Sequence, residues 1–290
     1  MSRRVALATY GGAPNLAPDD RRLIPALEQV GIDAMPIVWS DQSVSWRRFD
    51  AVILRSCWDY HLRFEEFQSW LSALEHDGVR LWNSPDTVRW NADKRYLLDL
   101  ARRGAATIPT MMAVRGQPEA VGSIAAAEGW PQFVIKPAVS ASGYETYALR
   151  QPLDAAARAA IARVSAIGDV LVQPFANEVP ESGELSLIFF DGKFSHATVK
   201  RARAGEFRVQ TEHGGTVEAT TVDPVIVAQA SGVIQLLDET PLYARVDGII
   251  REGALLVMEL ELIEPNVFMS YHPNAAHRFA AAIGARIAQR

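Results

Sequence analysis

Tyr243-Ala-Arg245-Val-Asp247-Gly-Ile-Ile250, then Arg251-Glu-Gly253, then Ala254-Leu-Leu-Val-Met-Glu259-Leu-Glu261-Leu-Ile-Glu264-Pro265 is the stretch on which the reading of this chain turns. Both flanks are β-branched and aliphatic, and a short Gly-bearing turn parts them, so they read as a hairpin. Strand side chains alternate between faces, which groups Glu259 with Glu261 and sets Leu256, Met258, Leu260 and Leu262 on the other side. A three-residue loop, Arg251 to Gly253, pairs Ile250 with Ala254 and brings Arg245 and Asp247 onto the face of the two glutamates. A two-residue loop would place them opposite. The three-residue register is the expectation adopted.

Asp247, Glu259 and Glu261 on one half-buried face repel one another. At about 4 Å and an effective dielectric near 20, one such pair costs roughly 4 kcal/mol. Arg245 offsets one carboxylate, and a divalent cation can offset the rest. Oxygen-only ligands suit Mg²⁺ or Mn²⁺, which take one or two carboxylates together with substrate phosphates. A lone Glu-x-Glu reads more naturally as an edge-strand charge ladder in water. Arg-x-Asp across a hairpin from Glu-x-Glu, followed by Pro265, favours the metal.

Composition narrows the classes. The chain has 290 residues, nearly half of them hydrophobic, enough for two or three lobes. No run approaches the roughly 18 apolar residues of a membrane span. The basic start and short apolar run through Tyr10, with Gly11-Gly12 and Pro14 behind it, read as a first buried strand rather than a signal peptide. A net charge of −5 argues against nucleic-acid affinity. The single cysteine, Cys57, fits a reducing cytoplasm and reads as a small buried thiol.

The first ninety residues alternate strand and helix: strands at Val5 to Thr9, Met35 to Trp39, Ala51 to Leu54 and near Leu81, with helices around Leu23 to Val30 and Phe64 to His76. Repeated βα units imply a doubly wound, mostly parallel sheet. From Asn91 the pattern changes to helices around Leu97 to Gly104, Glu119 to Glu128 and Asp154 to Ala166, with a strand at Phe133 to Lys136. After Gly168 it turns strand-rich and hairpin-like through Glu261, and an amphipathic helix from about Asn274 to Gln289 closes the chain. The fold class expected is α/β, with α+β character in the C-terminal part, and three lobes: 1–90, 91–172 and 173–290. Neither G-x-G-x-x-G nor G-x-x-x-x-G-K-[ST] is present.

Phe133-Val-Ile-Lys136-Pro ends an apolar strand and leads directly into Ala-Val-Ser140-Ala-Ser142-Gly143-Tyr144, small residues that let backbone N–H groups approach an anion. Lys94, in Asn91-Ala-Asp-Lys94-Arg-Tyr, offers a second ammonium. Val170-Leu-Val-Gln173-Pro-Phe175-Ala-Asn-Glu178 is a strand running into a proline-bearing connector that can meet an adenine edge, with Glu178 toward ribose. Each of these alone also reads as ordinary surface or linker. Their order, ending in Arg245-x-Asp247 and Glu259-x-Glu261-x-x-x-Pro265, resembles the ATP-grasp superfamily. The last pair is similar to the Arg-x-Asp and Glu-x-Asn of glutathione synthetases and D-alanine–D-alanine ligases, with Glu261 in place of Asn. Arg55-Ser-Cys-Trp58-Asp59-Tyr60, Val88 to Tyr96 and Glu259 to Pro265 resemble the group containing O-ureido-D-serine cyclo-ligase.

That resemblance implies an ATP-grasp fold with a pre-ATP-grasp N-terminal lobe, a central lid and a C-terminal catalytic lobe. It implies ATP and Mg²⁺ (or Mn²⁺) as cofactors and an ADP-forming carboxylate–amine ligase working through an acyl phosphate. Its expected substrate is a small, amino-acid-like molecule, closed into a ring as in antibiotic biosynthesis. The alternatives are an intermolecular peptide ligase and a non-catalytic ATP-binding module. Expected nucleotide contacts are Lys94, Lys136, Ser140, Ser142, Gly143, Tyr144, Gln173, Phe175 and Glu178; metal ligands, Asp247, Glu259 and Glu261; catalytic groups, Arg245, Lys200 and Arg208. Arg55, Ser56, Trp58, Asp59, Tyr60, Glu264 and Asn266 are the substrate candidates. Trp58 and Tyr60 read equally as interface packing, and Lys200 and Arg208 equally as exposed basic residues. Neither nucleic acid nor membrane is an expected partner, and a homo-oligomer is left open.

Overall fold

The structure, a computed structural model, describes residues 3–289. Met1 and Ser2 of the N-terminal run lie outside the described residues. The N-terminal lobe runs β1 (Arg3–Thr9), α1 (Leu23–Gln29), β2 (Ile32–Val38), β3 (Ala51–Ser56), α2 (Phe64–His76), β4 (Leu81–Trp82). Its sheet is parallel, in the order β2-β1-β3-β4. Both faces of β1 are buried, as expected of a strand covered by helices on each side. Val5 and Leu7 pack toward α1, and Ala6 and Ala8 toward α2 with Trp39, Phe67 and Leu71.

Next come α3 (Pro85–Ala92) and α4 (Tyr96–Arg102), then β5 (Met111–Ala113), α5 (Pro118–Ala127), β6 (Gln132–Pro137), β7 (Tyr147–Arg150), α6 (Ala155–Ile167) and β8 (Val170–Pro174). The last four strands form an antiparallel sheet, β5-β8-β6-β7. Phe133 and Ile135 of β6 meet α5 and α6 in one core, so the alternation turns Val134 and Lys136 to the opposite face.

The third lobe holds α7 (Glu178–Ser182), β9 (Glu184–Phe190), β10 (Lys193–Arg201), β11 (Thr216–Thr220), α8 (Pro224–Gln235), β12 (Tyr243–Arg251), β13 (Ala254–Glu261) and α9 (Ala275–Ala288). Its sheet order is β11-β10-β9-β12-β13, all antiparallel. Leu187, Phe189, Val246 and Leu260 face α4 and α8. On the other face, Ile188, Phe190 and Tyr243 pack on α9 and the N-terminal lobe. Beyond that packed half, the same face opens into a cleft.

Candidate active site

The hairpin differs from expectation in a way that leaves the faces intact. Arg251 pairs with Ala254, so the loop is the two residues Glu252 and Gly253, at φ 52° and 79°, the left-handed pair a tight hairpin turn requires. A β-bulge then slips the register between Gly248 and Asp247. One residue is inserted, and Asp247 pairs with Glu259 and Arg245 with Glu261 after all. Turn and bulge each move the alternation by one, and the two shifts cancel. Leu256 and Met258 are the casualties of the expected pattern. They pack beside Ile249 on the cleft side, while Val257, Leu260 and Leu262 enter the opposite core.

Opposed residues line up in rows across β10, β9, β12 and β13. One row is Thr198, Ser186, Asp247, Glu259; the next is His196, Ile188, Arg245, Glu261. Asp247 is fully enclosed: it accepts from Arg245 Nε at 2.9 Å, Lys200 Nζ at 2.9 Å and Ser186 Oγ at 2.6 Å. Lys200 also meets Glu184 at 2.6 Å. Arg245 reaches Glu261 at 2.5 Å and the Asn266 carbonyl at 3.0 Å, and Lys94 pairs with Glu259.

These contacts set the proton affinities. Burial alone would raise Asp247, but Arg245 and Lys200 hold it well below the usual carboxylate range. Burial likewise opposes ionisation of Glu259, yet Lys94 and Lys136 bring it below its ordinary value. Glu261 is raised, by burial and then by Asp247 and Glu259, which outweigh Arg245. Glu264 is pushed up to about 8 by burial and Glu261. Lys136 is lowered, chiefly by burial. Among the described residues, the Lys136 ammonium has no hydrogen-bonding partner, and the Glu264 carboxylate accepts from its own backbone amide but meets no cationic side chain in an ion pair.

The cleft encloses about 490 Å³. At one end its walls are apolar, with Ile108, Phe175, Val179 and Val209 among them, and Phe207 lies 6.2 Å from the Phe175 ring. Over the middle lies the loop from Ser140, left-handed at Ser142 and Gly143. A Cβ at Gly143 would come within 3.3 Å of Gln210 and 3.5 Å of Arg208, so this loop closes against the β10–β11 connection. The other end is walled by Trp58, Tyr60, Glu264 and Asn266.

Most expected site residues therefore converge. Lys94, Lys136, Ser140, Ser142, Gly143, Gln173, Phe175, Lys200, Arg208, Arg245, Asp247, Glu259 and Glu261 all line the cleft. Five do not. Arg55 is sealed in the core, held by Asp20 Oδ1 at 2.9 Å and the Pro265 carbonyl at 2.6 Å, so it cannot grip a substrate. Ser56 bonds the same aspartate at 2.7 Å, and Asp59 accepts from Trp39 at 2.8 Å. Glu178 is claimed by Arg251 at 2.6 Å. Tyr144 turns away from the cleft and meets His61 of the N-terminal lobe, ring centroids 5.3 Å apart. Sequence reasoning missed Asp19, Arg22, Glu184, Phe268, Ser270 and Tyr271, which also line the cleft. Asp19 accepts from the amides of Met269 and Ser270 at 2.7 and 2.8 Å, docking two loops distant in sequence. No local pattern announces such a contact.

The donor set fits Mg²⁺. Among the described residues, no group of three or more His, Cys, Asp or Glu side chains converges tightly enough to cage an ion. Mg²⁺ does not require a cage: it keeps waters and binds one or two carboxylates plus phosphates. Asp247 is already balanced by Arg245 and Lys200, whereas burial and its acidic neighbours disfavour the charged form of Glu261, a cost that a divalent cation beside Glu259 and Glu261 would offset.

Two lobes gripping such a cleft from either side, with paired ammonium groups facing a carboxylate strand, define an ATP-grasp ligase. D-alanine–D-alanine ligase from Bacillus anthracis shares this fold at a TM-score of 0.70 and 14% identity, covering 99% of both chains. A RimK domain ATP-grasp protein from Sphaerobacter thermophilus gives 0.72 at 19% identity, over 97% of this chain and 98% of that one. The similarity is closer to another group. Residues 5–83 match the family model for the N-terminal domain of D-cycloserine synthetase DcsG. Cycloserine biosynthesis protein DcsG of Streptomyces lavendulae is 34% identical over 98% of both chains, and the crystal structure of D-cycloserine synthetase DcsG superposes with a TM-score of 0.89, at 32% identity over 98% of this chain and 99% of that one. The chain belongs to the D-cycloserine synthetase family of ATP-grasp enzymes. It is an ATP-dependent ligase forming C–N bonds.

Proposed function

We propose that this enzyme phosphorylates the carboxylate of a small amino acid of the O-ureido-D-serine type and closes it into a ring, a nitrogen of the same molecule attacking the acyl phosphate. The observation that carries this reading is the charge arrangement in the cleft. Among the described residues, an ammonium without an ion-pair partner (Lys136) and a carboxylate without one (Glu264) line the same cleft as the Lys94–Glu259 and Arg245–Glu261 pairs. Adenine fits the apolar end beside Phe175, and Lys94 and Lys136 neutralise the phosphates. Glu259 and Glu261 would hold Mg²⁺, which when bound screens the charge of the transferring phosphoryl group. Arg245 and Lys200 present fixed positive charge where the phosphoryl group and the tetrahedral intermediate gather negative charge. Arg208, whose guanidinium is held by Glu206 at 2.8 Å, lines the cleft from the β10–β11 connection and would have to leave that pair to do the same. Glu264 and the Asn266 amide receive the substrate ammonium, and Trp58 and Tyr60 exclude water that would hydrolyse an acyl phosphate.

The lobe from 91 to 172 acts as the lid, and the buried lone thiol of Cys57 suits a cytoplasmic enzyme. No helix among the described residues is long and apolar enough to cross a membrane. An intermolecular peptide ligase is not favoured, because the likeness to D-alanine–D-alanine ligase is one of fold alone. Incubation with ATP, Mg²⁺ and a panel of amino acids tests the reading. ADP release that depends on O-ureido-D-serine, with a cyclic product, supports it. Release driven instead by pairs of amino acids, with a linear amide formed, refutes ring closure.

A further inference from the structure

β13 is the last strand of its sheet, so its outer edge has no neighbouring strand. Unpaired backbone groups on such an edge need partners when buried. Here they are supplied by side chains from one short segment running from the last turn of α3 to the first residue of α4. Asn91, 6% exposed, donates from Nδ2 to the Leu260 carbonyl at 2.8 Å and accepts from the Leu262 amide at Oδ1, also at 2.8 Å. Only one orientation of the amide satisfies both, so its placement is fixed by its partners. The Tyr96 hydroxyl accepts from the Leu260 amide at 3.1 Å, and Lys94 pairs with Glu259. Further along, Val257 exchanges backbone hydrogen bonds with Ala106 and Ile108, at 2.8 and 2.9 Å.

The Asn91 side chain thus does what one residue of a parallel neighbour would do: it donates to one residue and accepts from the residue two further on. The residue it straddles is Glu261. Leu260, which it shares with Tyr96, lies between Glu259 and Glu261. The bulge just upstream shifts the register in which Glu259 to Glu261 pair with β12.

We propose that Asn91 is a positioning residue for the Mg²⁺-binding glutamates, its amide standing in for a missing strand and, with Tyr96, fixing where Glu259 and Glu261 point. This rests on the reading that those two residues hold the ion. Groups that orient metal ligands from behind typically change metal affinity by about 10- to 100-fold when removed.

The test is Mn²⁺ titration followed by electron paramagnetic resonance, on the full chain saturated with ADP, for the wild type, Asn91→Ala, Tyr96→Phe and Glu259→Gln. Denaturant unfolding of each runs alongside. Asn91→Ala is expected to weaken Mn²⁺ binding by about 10-fold or more. Tyr96→Phe should weaken it less, in the same direction, and ADP affinity without metal should stay at the wild-type value in both. A purely structural role predicts the reverse: a lowered unfolding midpoint with unchanged Mn²⁺ affinity, which overturns the proposal. Should Asn91→Ala fail to fold, Tyr96→Phe decides by the same criterion. If Glu259→Gln itself keeps wild-type Mn²⁺ affinity, the glutamate reading falls and this proposal with it. If Glu259→Gln loses the ion and Asn91→Ala does not, only the proposal falls.

Discussion

Gly248 shows how a single residue holds the site's register. It sits where the bulge brings β13 closest, and a Cβ there would lie 2.6 Å from the Leu256 carbonyl oxygen. Gly248→Ala should therefore push the two strands apart, costing about 1–3 kcal/mol in denaturant unfolding and lowering turnover disproportionately; unchanged stability and turnover would show the bulge to be incidental. Arg55 makes the opposite point. Expected as a substrate contact, it lies instead within β3. The structure spends the guanidinium on Asp20, under the rings of Tyr243 and Phe279, 5.0 and 5.4 Å away. Arg55→Leu is expected to destabilise by about 3–5 kcal/mol, since it strands a buried aspartate. A folded variant of normal stability with a raised substrate KM would restore the substrate contact. Arg245, Asp247 and the two glutamates were legible because charge in an apolar strand is costly and conspicuous. Asp19 and Glu184 were not, because an acidic residue near a turn or strand end is unremarkable without its partner.

Elements announced by strong periodicity, such as α2, α5, α6 and α9, stand where the sequence pattern puts them. Three helices went unread. Two of them, α3 and α8, carry plain start signals: Ser84 accepts from the Thr87 amide and Asp223 from the Val225 amide, each followed by proline at the first helical position. Their short or uniformly apolar spans hid the helical period. The third, α7, is a single short turn of Glu178–Ser182. The loop carrying Phe268, Ser270 and Tyr271 has no sequence signature either; it is fixed by His196. The ring's Nε2 lies 3.0 and 3.1 Å from the carbonyls of Val267 and Phe268, and Nδ1 is 2.9 Å from Ser195 Oγ. A neutral imidazole satisfies all of these. Burial pushes His196 down to about 4, assisted by its neighbours His272 and Arg278. The unfolded chain takes up a proton near pH 6.5 that the folded one refuses until about pH 4. Stability should thus be full above pH 6.5 and fall on acidification toward pH 4, by about 3 kcal/mol at most from this group. Urea unfolding across that range should show the slope in the wild type and lose that portion in His196→Gln; identical slopes would remove His196 as the cause.

Across the whole molecule, the three sheets and their order along the chain were readable because βα alternation, Ala-rich helices and hairpin runs are distinct patterns. What sequence could not supply is how the lobes meet. Tyr144 reaching His61, and the Ser140 loop seated against the connection that bears Arg208 and Gln210, are contacts between segments far apart in the chain. They suit a lid that closes over nucleotide. Hydrogen exchange should show residues 140–146 and 203–214 gaining protection when a non-hydrolysable ATP analogue and Mg²⁺ are added, with β9 and β12 unchanged; no gain in those two segments would argue against a moving lid. The chemistry beneath the lid has a more direct test. With both carboxylate oxygens of O-ureido-D-serine labelled with ¹⁸O, turnover with ATP and Mg²⁺ should deliver one labelled oxygen into inorganic phosphate for each ring closed. Unlabelled phosphate, or AMP in place of ADP, would mean that no acyl phosphate forms in this cleft.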